Sequence, residues 1–418
     1  MSRNSDTGSQ HLEEDDEAFL DLDDPENQIL DDGENDAPVE DDDDDVPEAA
    51  PEPVEETGPA PVDLNEVADI EPERDDAVAS FQAPEKKPLH CVHINPTNSS
   101  IIAVAGEGDE VFILTEQDSS LTLTATLRGH TDTITELAFS PNGEMLASGG
   151  MDMTIRIWSC ATWELLHVLS DLSGEIETLL WHPSSLALVG SATDAQAALW
   201  NAKKGTLAMY FVGHRQSVTC TLWSADHKKL ITGSTDGSII VFNPKTGEQE
   251  VMVHKDLSPD TAGISSMRLF NEDIVIAGCD DGTIHLVSIT KGKSVSHLQE
   301  IHEQCIETIS ISGNGKLYAT SSCDCKLVVW HSADHTKRAV FDVKEAVIPA
   351  VWVENYLIAG FSDGCVRVWD GRSMAPDPVL TWKGHRRMII DLVVDPVKKR
   401  CFTACDDGSL RLFALPDQ

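Results

Sequence analysis

One phrase recurs seven times along the chain and restricts its fold more than any other feature. It consists of an aspartate, an alternating run such as DMTIRIW or DGCVRVW, and in most copies a large apolar residue six positions after the aspartate. Successive aspartates are 39 to 45 residues apart. A period of this length, filled with short strands and turn residues, indicates stacked four-stranded units. The aspartates are Asp152, Asp194, Asp236, Asp281, Asp324, Asp363 and Asp407.

A second pattern accompanies four of these units. A histidine precedes the aspartate at one constant spacing, and a serine or threonine stands four positions before the aspartate. This combination is typical of WD repeats, in which these side chains and a tryptophan form a buried hydrogen-bond network. We predict a structural role, not a catalytic one, because each copy satisfies its own buried polar groups. The predicted networks are His130, Ser148, Asp152 and Trp158; His214, Thr232 and Asp236; His302, Thr320, Asp324 and Trp330; and His385, Thr403 and Asp407.

A degenerate unit precedes the first clear one, because Leu89–Pro96 aligns with Ile134–Pro141. This makes eight units with three inner strands, a to c, but only seven outer d strands follow them. The eighth d strand is expected near residues 77–82 (AVASFQ), where it would pair with the last unit and remove the exposed sheet edge. The sequence therefore predicts an all-β fold, a WD40 β-propeller with eight blades. A seven-bladed ring with a stray first unit is the alternative.

The N-terminal part of the chain has a different composition. Residues 1–80 hold 31 Asp and Glu against two basic residues, Arg3 and Arg74, within a total net charge of −42. Such a segment cannot bury enough apolar surface to offset the entropy of ordering, and its charges repel one another. We predict a disordered acidic tail over 1–76 and the propeller over 77–418.

The charge also restricts the partners. An anionic protein repels nucleic acid and anionic membranes, so a basic protein segment is the expected partner. No apolar run approaches the roughly 18–20 residues that a membrane span requires. The 10 scattered cysteines and the polar N-terminus, MSRNSDTGSQ, are typical of a reducing compartment. We expect a monomer in the cytoplasm, with the nucleus as a further location.

Enzyme motifs are absent from the sequence. It has no HExxH, Walker loop, GxSxG elbow or kinase signature, and the segment Gly313–Lys316 (GNGK) is explained by a turn. Cys323 and Cys325 flank a turn aspartate, and Cys305 is the nearest other cysteine, so no second close pair completes a metal site. We therefore expect a binding protein with no enzymatic activity, no cofactor and no metal.

Acidic residues cluster at one face of the expected propeller. The d–a loops, the b–c loops and the first residues of strand a line that face and the mouth of the channel. Glu177 and Glu307 share one repeat position and are expected to face the channel from blades 3 and 6, whereas Arg386 and Arg387 interrupt the acidic rim. Carboxylates so placed suit a segment rich in Lys and Arg. The candidate partner-binding residues are Asp132, Asp171, Glu175, Glu177, Asp256, Asp260, Glu303 and Glu307.

The chain resembles one WD-repeat family more specifically. The acidic tail leads into DDAVASFQAPEKKPLHCVHINP, followed by GHTDTITELAFSPNGEMLASGGMD, and the third blade reads LLWHPSSLALVGSATDAQAALWNAKKG. This order is similar to that of the angio-associated migratory cell protein family, which includes the fungal chaperone of ribosomal protein uL-sixteen (L-ten). The resemblance implies an escort that captures this newly made basic protein of the large subunit by its N-terminal segment.

Other binding functions stay open. The segment Trp369–Arg372 (WDGR) resembles the WDxR box of substrate receptors of cullin-RING ubiquitin ligases, although Trp-Asp followed by a turn and a base is common in WD repeats. A histone escort would share the electrostatic argument but would depend on the tail. The animal relatives also imply a scaffold in signalling and cell migration.

Overall fold

The structure, a computed structural model, describes residues 69–253, 262–299 and 301–415. These residues form eight antiparallel sheets of four strands each and a 3₁₀ turn at Pro84–Lys86. The prediction of an all-β propeller with eight blades is confirmed, and the seven-bladed alternative is wrong. Most of the predicted acidic tail, residues 1–68, lies outside the described residues.

Blades 1 to 4 follow one another along the chain, after a strand β1 (Ala79–Gln82) that precedes them. In each blade, strands a to d are hydrogen-bonded in sequence order. Their strands are β2 (Leu89–Ile94), β3 (Ile101–Gly106), β4 (Glu110–Gln117) and β5 (Ser120–Arg128); β6 (Ile134–Phe139), β7 (Met145–Gly150), β8 (Ile155–Ser159) and β9 (Leu165–Leu169); β10 (Ile176–Trp181), β11 (Ala187–Ala192), β12 (Gln196–Asn201) and β13 (Thr206–Val212); β14 (Val218–Trp223), β15 (Leu230–Ser234), β16 (Ile239–Phe242) and β17 (Gln249–Val253).

Blades 5 to 7 repeat this order, and blade 8 takes only three strands from its own part of the chain. Their strands are β18 (Ile264–Leu269), β19 (Ile274–Cys279), β20 (Ile284–Ser288) and β21 (Lys293–Leu298); β22 (Ile306–Ile311), β23 (Leu317–Ser322), β24 (Lys326–His331) and β25 (Lys337–Asp342); β26 (Val347–Val353), β27 (Tyr356–Phe361), β28 (Val366–Asp370) and β29 (Leu380–Trp382); β30 (Ile389–Asp395), β31 (Arg400–Cys405) and β32 (Ser409–Ala414).

The ring is closed by the N-terminal strand. β1 pairs antiparallel with β32, so that Ala79 lies opposite Leu412 and Gln82 lies opposite Ser409. Apolar side chains from the first and last blades pack together at this junction, where the rings of Phe81 and Phe112 have centroids 5.3 Å apart. Phe112 is buried and Phe81 is partly buried; a fully buried side chain of this size contributes about 1.5–3 kcal/mol, and a partly buried one contributes less. Blades 1 and 8 are therefore joined both by hydrogen bonds and by a shared core.

The cores lie between adjacent blades. In one of them, Ile157 of blade 2 belongs to the same cluster as Trp181, Leu188 and Trp200 of blade 3. Period-two alternation of the strands puts apolar side chains on both faces of each sheet, so every blade can bury both faces against its neighbours. The inner a strands surround the central channel, and the candidate site lies at the end of the channel where these strands begin.

Residues 69–76 run along blade 8. The Ile70 N–H donates to the Arg386 carbonyl at 2.8 Å, and the Asp76 N–H donates to the Lys383 carbonyl at 2.8 Å. The acidic composition of this stretch predicts a tail, but composition carries no information about contacts with a blade formed by a distant part of the chain. Residues 69–76 nevertheless contact the folded blade directly. None of the helices among the described residues has the length and apolarity to cross a membrane.

Candidate peptide-binding face

The d–a loops and b–c turns lie at the end of the propeller where the a strands begin, because neighbouring strands are antiparallel. We call this end the acidic face. Six of the eight predicted acidic residues lie there in the structure, and Asp256 and Asp260 lie outside the described residues.

The outer part of the acidic face carries three exposed acids. The Asp132 carboxylate accepts the N–H of Thr133 at 2.7 Å, and the Glu303 carboxylate, 81% exposed, pairs with Lys326 at 2.7 Å. Glu175 is exposed, and its backbone N–H donates to Thr193. Exposed pairs of this kind are weak and screened by salt, so these carboxylates remain accessible to a partner.

Asp171 has a structural role that sequence analysis missed. Its Oδ2 accepts the indole N–H of the fully buried Trp200 at 2.7 Å, and its backbone carbonyl accepts the hydroxyl of Tyr210 at 3.0 Å. Blade 3 has no histidine in the repeat position, and Asp171 bonds the tryptophan in place of the serine or threonine that does so in blades 2 and 6. The absence of that histidine in the repeat pattern was the available signal.

Two kinds of junction between blades explain the position of Glu177 and Glu307. In blades 2, 4 and 5, the second residue of strand a is Thr or Ser, and its hydroxyl donates to a carbonyl at the start of the next blade at 2.5–2.8 Å. In these blades a glycine on strand b lies where an added Cβ would be only 2.5–3.0 Å from the first residue of the next blade, an isoleucine. The hydroxyls belong to Thr135, Thr219 and Ser265, and the glycines are Gly149, Gly233 and Gly278.

Blades 3 and 6 use the other kind. The glycine is replaced by Ser191 or Ser321, and the next blade begins its a strand with the smaller Val218 or Val347. The buried serine hydroxyl now donates to the next blade, at 2.7 Å from Ser191 and 2.9 Å from Ser321. The second residue of strand a is thereby released from joining blades, and in both blades it is glutamate.

The two released glutamates lie in partly desolvated surroundings. Burial raises the pKa of Glu177, and the nearby Glu175 carboxylate raises it further. Glu307 accepts the Cys323 thiol at 3.3 Å, and burial, followed by the charge of Glu307, raises the pKa of that thiol to about 12. A cationic group would stabilise the ionised form of both carboxylates.

Asp280 adds an acid that sequence analysis did not identify. It is exposed in the b–c turn of blade 5, and its carboxylate accepts the Cys305 thiol of blade 6 at 3.6 Å. Its position directly before the repeat aspartate Asp281 was a signal that could have found it, because that position lies in the turn. Together with Glu307 it makes the blade 5–6 junction acidic.

The channel contains further charged groups that the loop-based prediction missed. His93 of blade 1 and Glu136 of blade 2 are 3.1 Å apart, and although burial opposes it, this hydrogen bond raises the pKa of His93. Asp391 of blade 8 accepts the Val92 N–H at 2.8 Å, and burial raises its pKa. A cavity of about 470 Å³ extends from Asp391 to Arg268 across blades 5 to 8.

The predicted blade networks have two geometries. In blade 2 the Ser148 hydroxyl lies 2.8 Å from His130 and accepts the Trp158 indole N–H at 2.9 Å, while His130 lies 2.9 Å from Asp152. Blade 6 brings His302, Thr320, Asp324 and Trp330 together in the same way, at 2.9–3.2 Å.

In blades 4 and 8, where phenylalanine replaces tryptophan, a serine joins the network. His214 lies 2.7 Å from Thr232 and 2.8 Å from Ser238, whose hydroxyl donates to Asp236. His385 has the same relation to Thr403 and Ser409, and the Ser409 hydroxyl donates to Asp407. The serine therefore lies between the imidazole and the carboxylate and links the two by hydrogen bonds.

One group of described residues offers ligand atoms close enough for a metal. His385, Cys405 and Asp407 place theirs within 4.8 Å of one another. Both imidazole nitrogens of His385 already face hydroxyl groups, and the Cys405 thiol donates to the Arg387 carbonyl at 3.3 Å. These contacts explain the group as part of the blade 8 network.

The WDGR segment is satisfied by contacts of its own. Trp369 is buried and its indole N–H donates to the Pro376 carbonyl at 3.2 Å. The Arg372 guanidinium pairs with Asp370 at 2.9 Å and is 62% exposed. Nothing in this geometry distinguishes an adaptor-docking box from an ordinary repeat turn.

Comparison with known protein families identifies the repeats. The family model of the WD domain, G-beta repeat, matches residues 121–159, 205–243, 292–331 and 376–413. Human angio-associated migratory cell protein is 24% identical over 365 residues, covering 82% of each chain. The resemblance predicted from the sequence is confirmed.

Solved structures agree on the architecture. Saccharomyces cerevisiae Sqt1 is 20% identical, with a TM-score of 0.76 over 82% of this chain and 100% of that one. Chaetomium thermophilum Sqt1 bound to the N-terminus of ribosomal protein L10 is 22% identical, with a TM-score of 0.73 and the same coverage. At these identities the likeness shows the shared fold.

Proposed function

The chain is a WD-repeat β-propeller similar to angio-associated migratory cell protein, and we propose that it is a chaperone for a basic ribosomal protein of the large subunit. The acidic face would hold the N-terminal segment of the newly made protein until it joins the assembling subunit. The similar Sqt1 structure bound to the N-terminus of ribosomal protein L10 supports this class of client.

One observation carries the proposal. Glu177 and Glu307 occupy the two junctions where a serine has taken over the bond between blades, so their carboxylates have no role in holding the ring together. Among the described residues, no basic side chain pairs with either of them. Unpaired, partly buried carboxylates at the channel mouth favour Lys and Arg, which would replace the lost hydration with charge-assisted hydrogen bonds.

The other acids would act at longer range. Glu175, Asp280 and Glu303 are exposed on the same face, so they would raise the rate of association with a basic segment more than its final affinity. This contribution depends on salt, because screening shortens the reach of exposed charges to about 10 Å at 0.1 M.

The test is direct binding of the purified full chain to a synthetic peptide with the N-terminal sequence of ribosomal protein L10, measured by calorimetry at low and moderate salt. We expect the Glu177→Gln, Glu307→Gln double variant to lose about 2–4 kcal/mol of binding free energy, or roughly 30- to 1000-fold in affinity. The matched control is Glu164→Gln with Glu272→Gln, which removes two exposed charges from the opposite end. Equal affinities of the two double variants would overturn the proposal.

The alternatives give different results. A ligase receptor would lose its adaptor when Arg372 is replaced by alanine, whereas a chaperone would keep its client. A histone escort would depend on residues 1–68, which can be deleted without removing the stretch that contacts blade 8.

A further inference from the structure

Four basic side chains of blade 8 face an acidic segment of the same chain. This segment, residues 69–76 (DIEPERDD), contains five acids and one arginine, and we call it the acidic strap. It forms a series of ion pairs with the blade. The pairs are Asp69 with Arg387 at 2.7 Å, Glu71 with Arg386 at 3.2 Å, Glu73 with Lys383 at 2.6 Å, and Asp75 with Arg411.

The strap lies at the acidic face. Lys383, Arg386 and Arg387 belong to the d–a loop of blade 8, which connects β29 to β30 at that end of the propeller. Without the strap, this loop would present three neighbouring basic side chains at the acidic face. With the strap in place, four of its carboxylates each pair with one of the four basic groups of blade 8, and the fifth, Asp76, pairs with Arg74 of the strap itself, so the charges balance.

The contacts hold the strap without burying it. Asp69, Glu71 and Glu73 have side chains that are 53–78% exposed, and exposed ion pairs are weak and salt-dependent. The backbone bonds at Ile70 and Asp76 fix the path of the segment. An open cleft of about 380 Å³ remains between Asp69, Lys86 and Arg411, so the segment is not sealed into a core.

We infer that the acidic strap completes the client-binding face, because it neutralises Lys383, Arg386 and Arg387, which would otherwise repel a basic client at blade 8. The inference rests on the proposed function, since it requires a basic client. It assigns to the strap the removal of a repulsive patch, not direct contact with the client.

Charge-neutralised variants of the full chain separate these roles. A strap variant (Asp69→Asn, Glu71→Gln, Glu73→Gln) should bind the L10 peptide about 3- to 10-fold more weakly at low salt, as expected for two or three unit charges several ångströms away. Adding Lys383→Gln, Arg386→Gln and Arg387→Gln should restore the affinity to within about twofold of the original. An unrescued loss would overturn the inference, because it would mean that the strap carboxylates contact the client themselves. An unchanged affinity in the strap variant would also overturn it.

A second measurement needs no client. Arg74 is the only Lys or Arg between residues 4 and 85, and its guanidinium bonds Asp76 at 2.8 Å and the Thr381 carbonyl at 3.3 Å. Tryptic cleavage after Arg74 therefore reports release of the strap. The rate of this cleavage should rise with salt. It should also rise in a full chain that carries only Lys383→Gln, Arg386→Gln and Arg387→Gln, and an unchanged rate in that variant would overturn the inference. If the unmodified chain does not bind the peptide, the proposed function fails. The trypsin experiment would still measure whether the strap is held by the basic residues of blade 8.

Discussion

Replacing Asp171 by alanine removes the acceptor of the Trp200 indole N–H. This tryptophan is 0% exposed, and its Nε1 lies 2.7 Å from the Asp171 carboxylate. A buried donor left without a partner costs about 1–3 kcal/mol, and the upper part of this range applies when the lost acceptor is charged. We therefore expect the free energy of unfolding to fall by about 2 kcal/mol and the melting temperature by roughly 3–6 °C.

Urea denaturation followed by circular dichroism measures this loss. Glu175→Ala is the matched control, because it removes an exposed carboxylate from the same loop and should change stability by less than about 0.5 kcal/mol. Asp171→Asn keeps an acceptor oxygen and should lie between the two.

A double-mutant cycle with Trp200→Phe tests the contact itself. Once the indole N–H is gone, removal of Asp171 should cost about 1–2 kcal/mol less than in the original chain. Additive losses would refute the bond between these side chains as a source of stability. Asp171→Ala and Glu175→Ala should also be compared for peptide affinity under conditions where both are fully folded. If Asp171→Ala then weakens binding more than Glu175→Ala does, Asp171 contacts the partner as predicted from the sequence.

Three further outcomes follow from the junctions and networks. Burial and Glu175 raise the folded-state pKa of Glu177, so ionisation of this carboxyl opposes folding as the pH rises above about 4.5. In urea titrations, Glu177→Gln should therefore stabilise the protein at pH 7 and lose that advantage at pH 4. Gly278→Ala should cost about 1–3 kcal/mol, since its new Cβ would lie 2.6 Å from the next isoleucine, whereas Gly313→Ala, with no neighbour within 4 Å, should cost far less. Thr320→Val should lower the unfolding free energy by roughly 2–4 kcal/mol, and more than the matching change at Thr232, where no indole shares the hydroxyl.

The repeat spacing predicts the eight blades because the period, the strand alternation and the turn residues agree at every unit. Even the degenerate first unit is identified, since Leu89–Ile94 aligns with Ile134–Phe139 although blade 1 has no repeat aspartate. Register within a repeat also places Glu177 and Glu307 at equivalent positions of blades 3 and 6. What register cannot predict is which neighbour a side chain meets across the gap between blades.

The missed residues illustrate this limit. Asp171 is an exposed loop acid by its position, and only the structure shows the indole of Trp200 beside it. The strap is equally hidden, because its partners Arg386 and Arg387 belong to the last blade and ion pairs leave no periodic pattern. Local patterns predict what a repeat contains, whereas contacts between distant segments depend on how the ring closes.

The pairing of β1 with β32 has a consequence for the order in which the molecule is made. A ribosome releases β1 before all seven complete blades and β32 after them, so the ring cannot close while those blades are still being synthesised. During that interval the edge of β1 that later pairs with β32 has no partner, and a strand from a second chain could occupy it. A circular permutant that joins residues 69–82 to the end of blade 8 would make this contact local, and it should fold faster and exchange strands less.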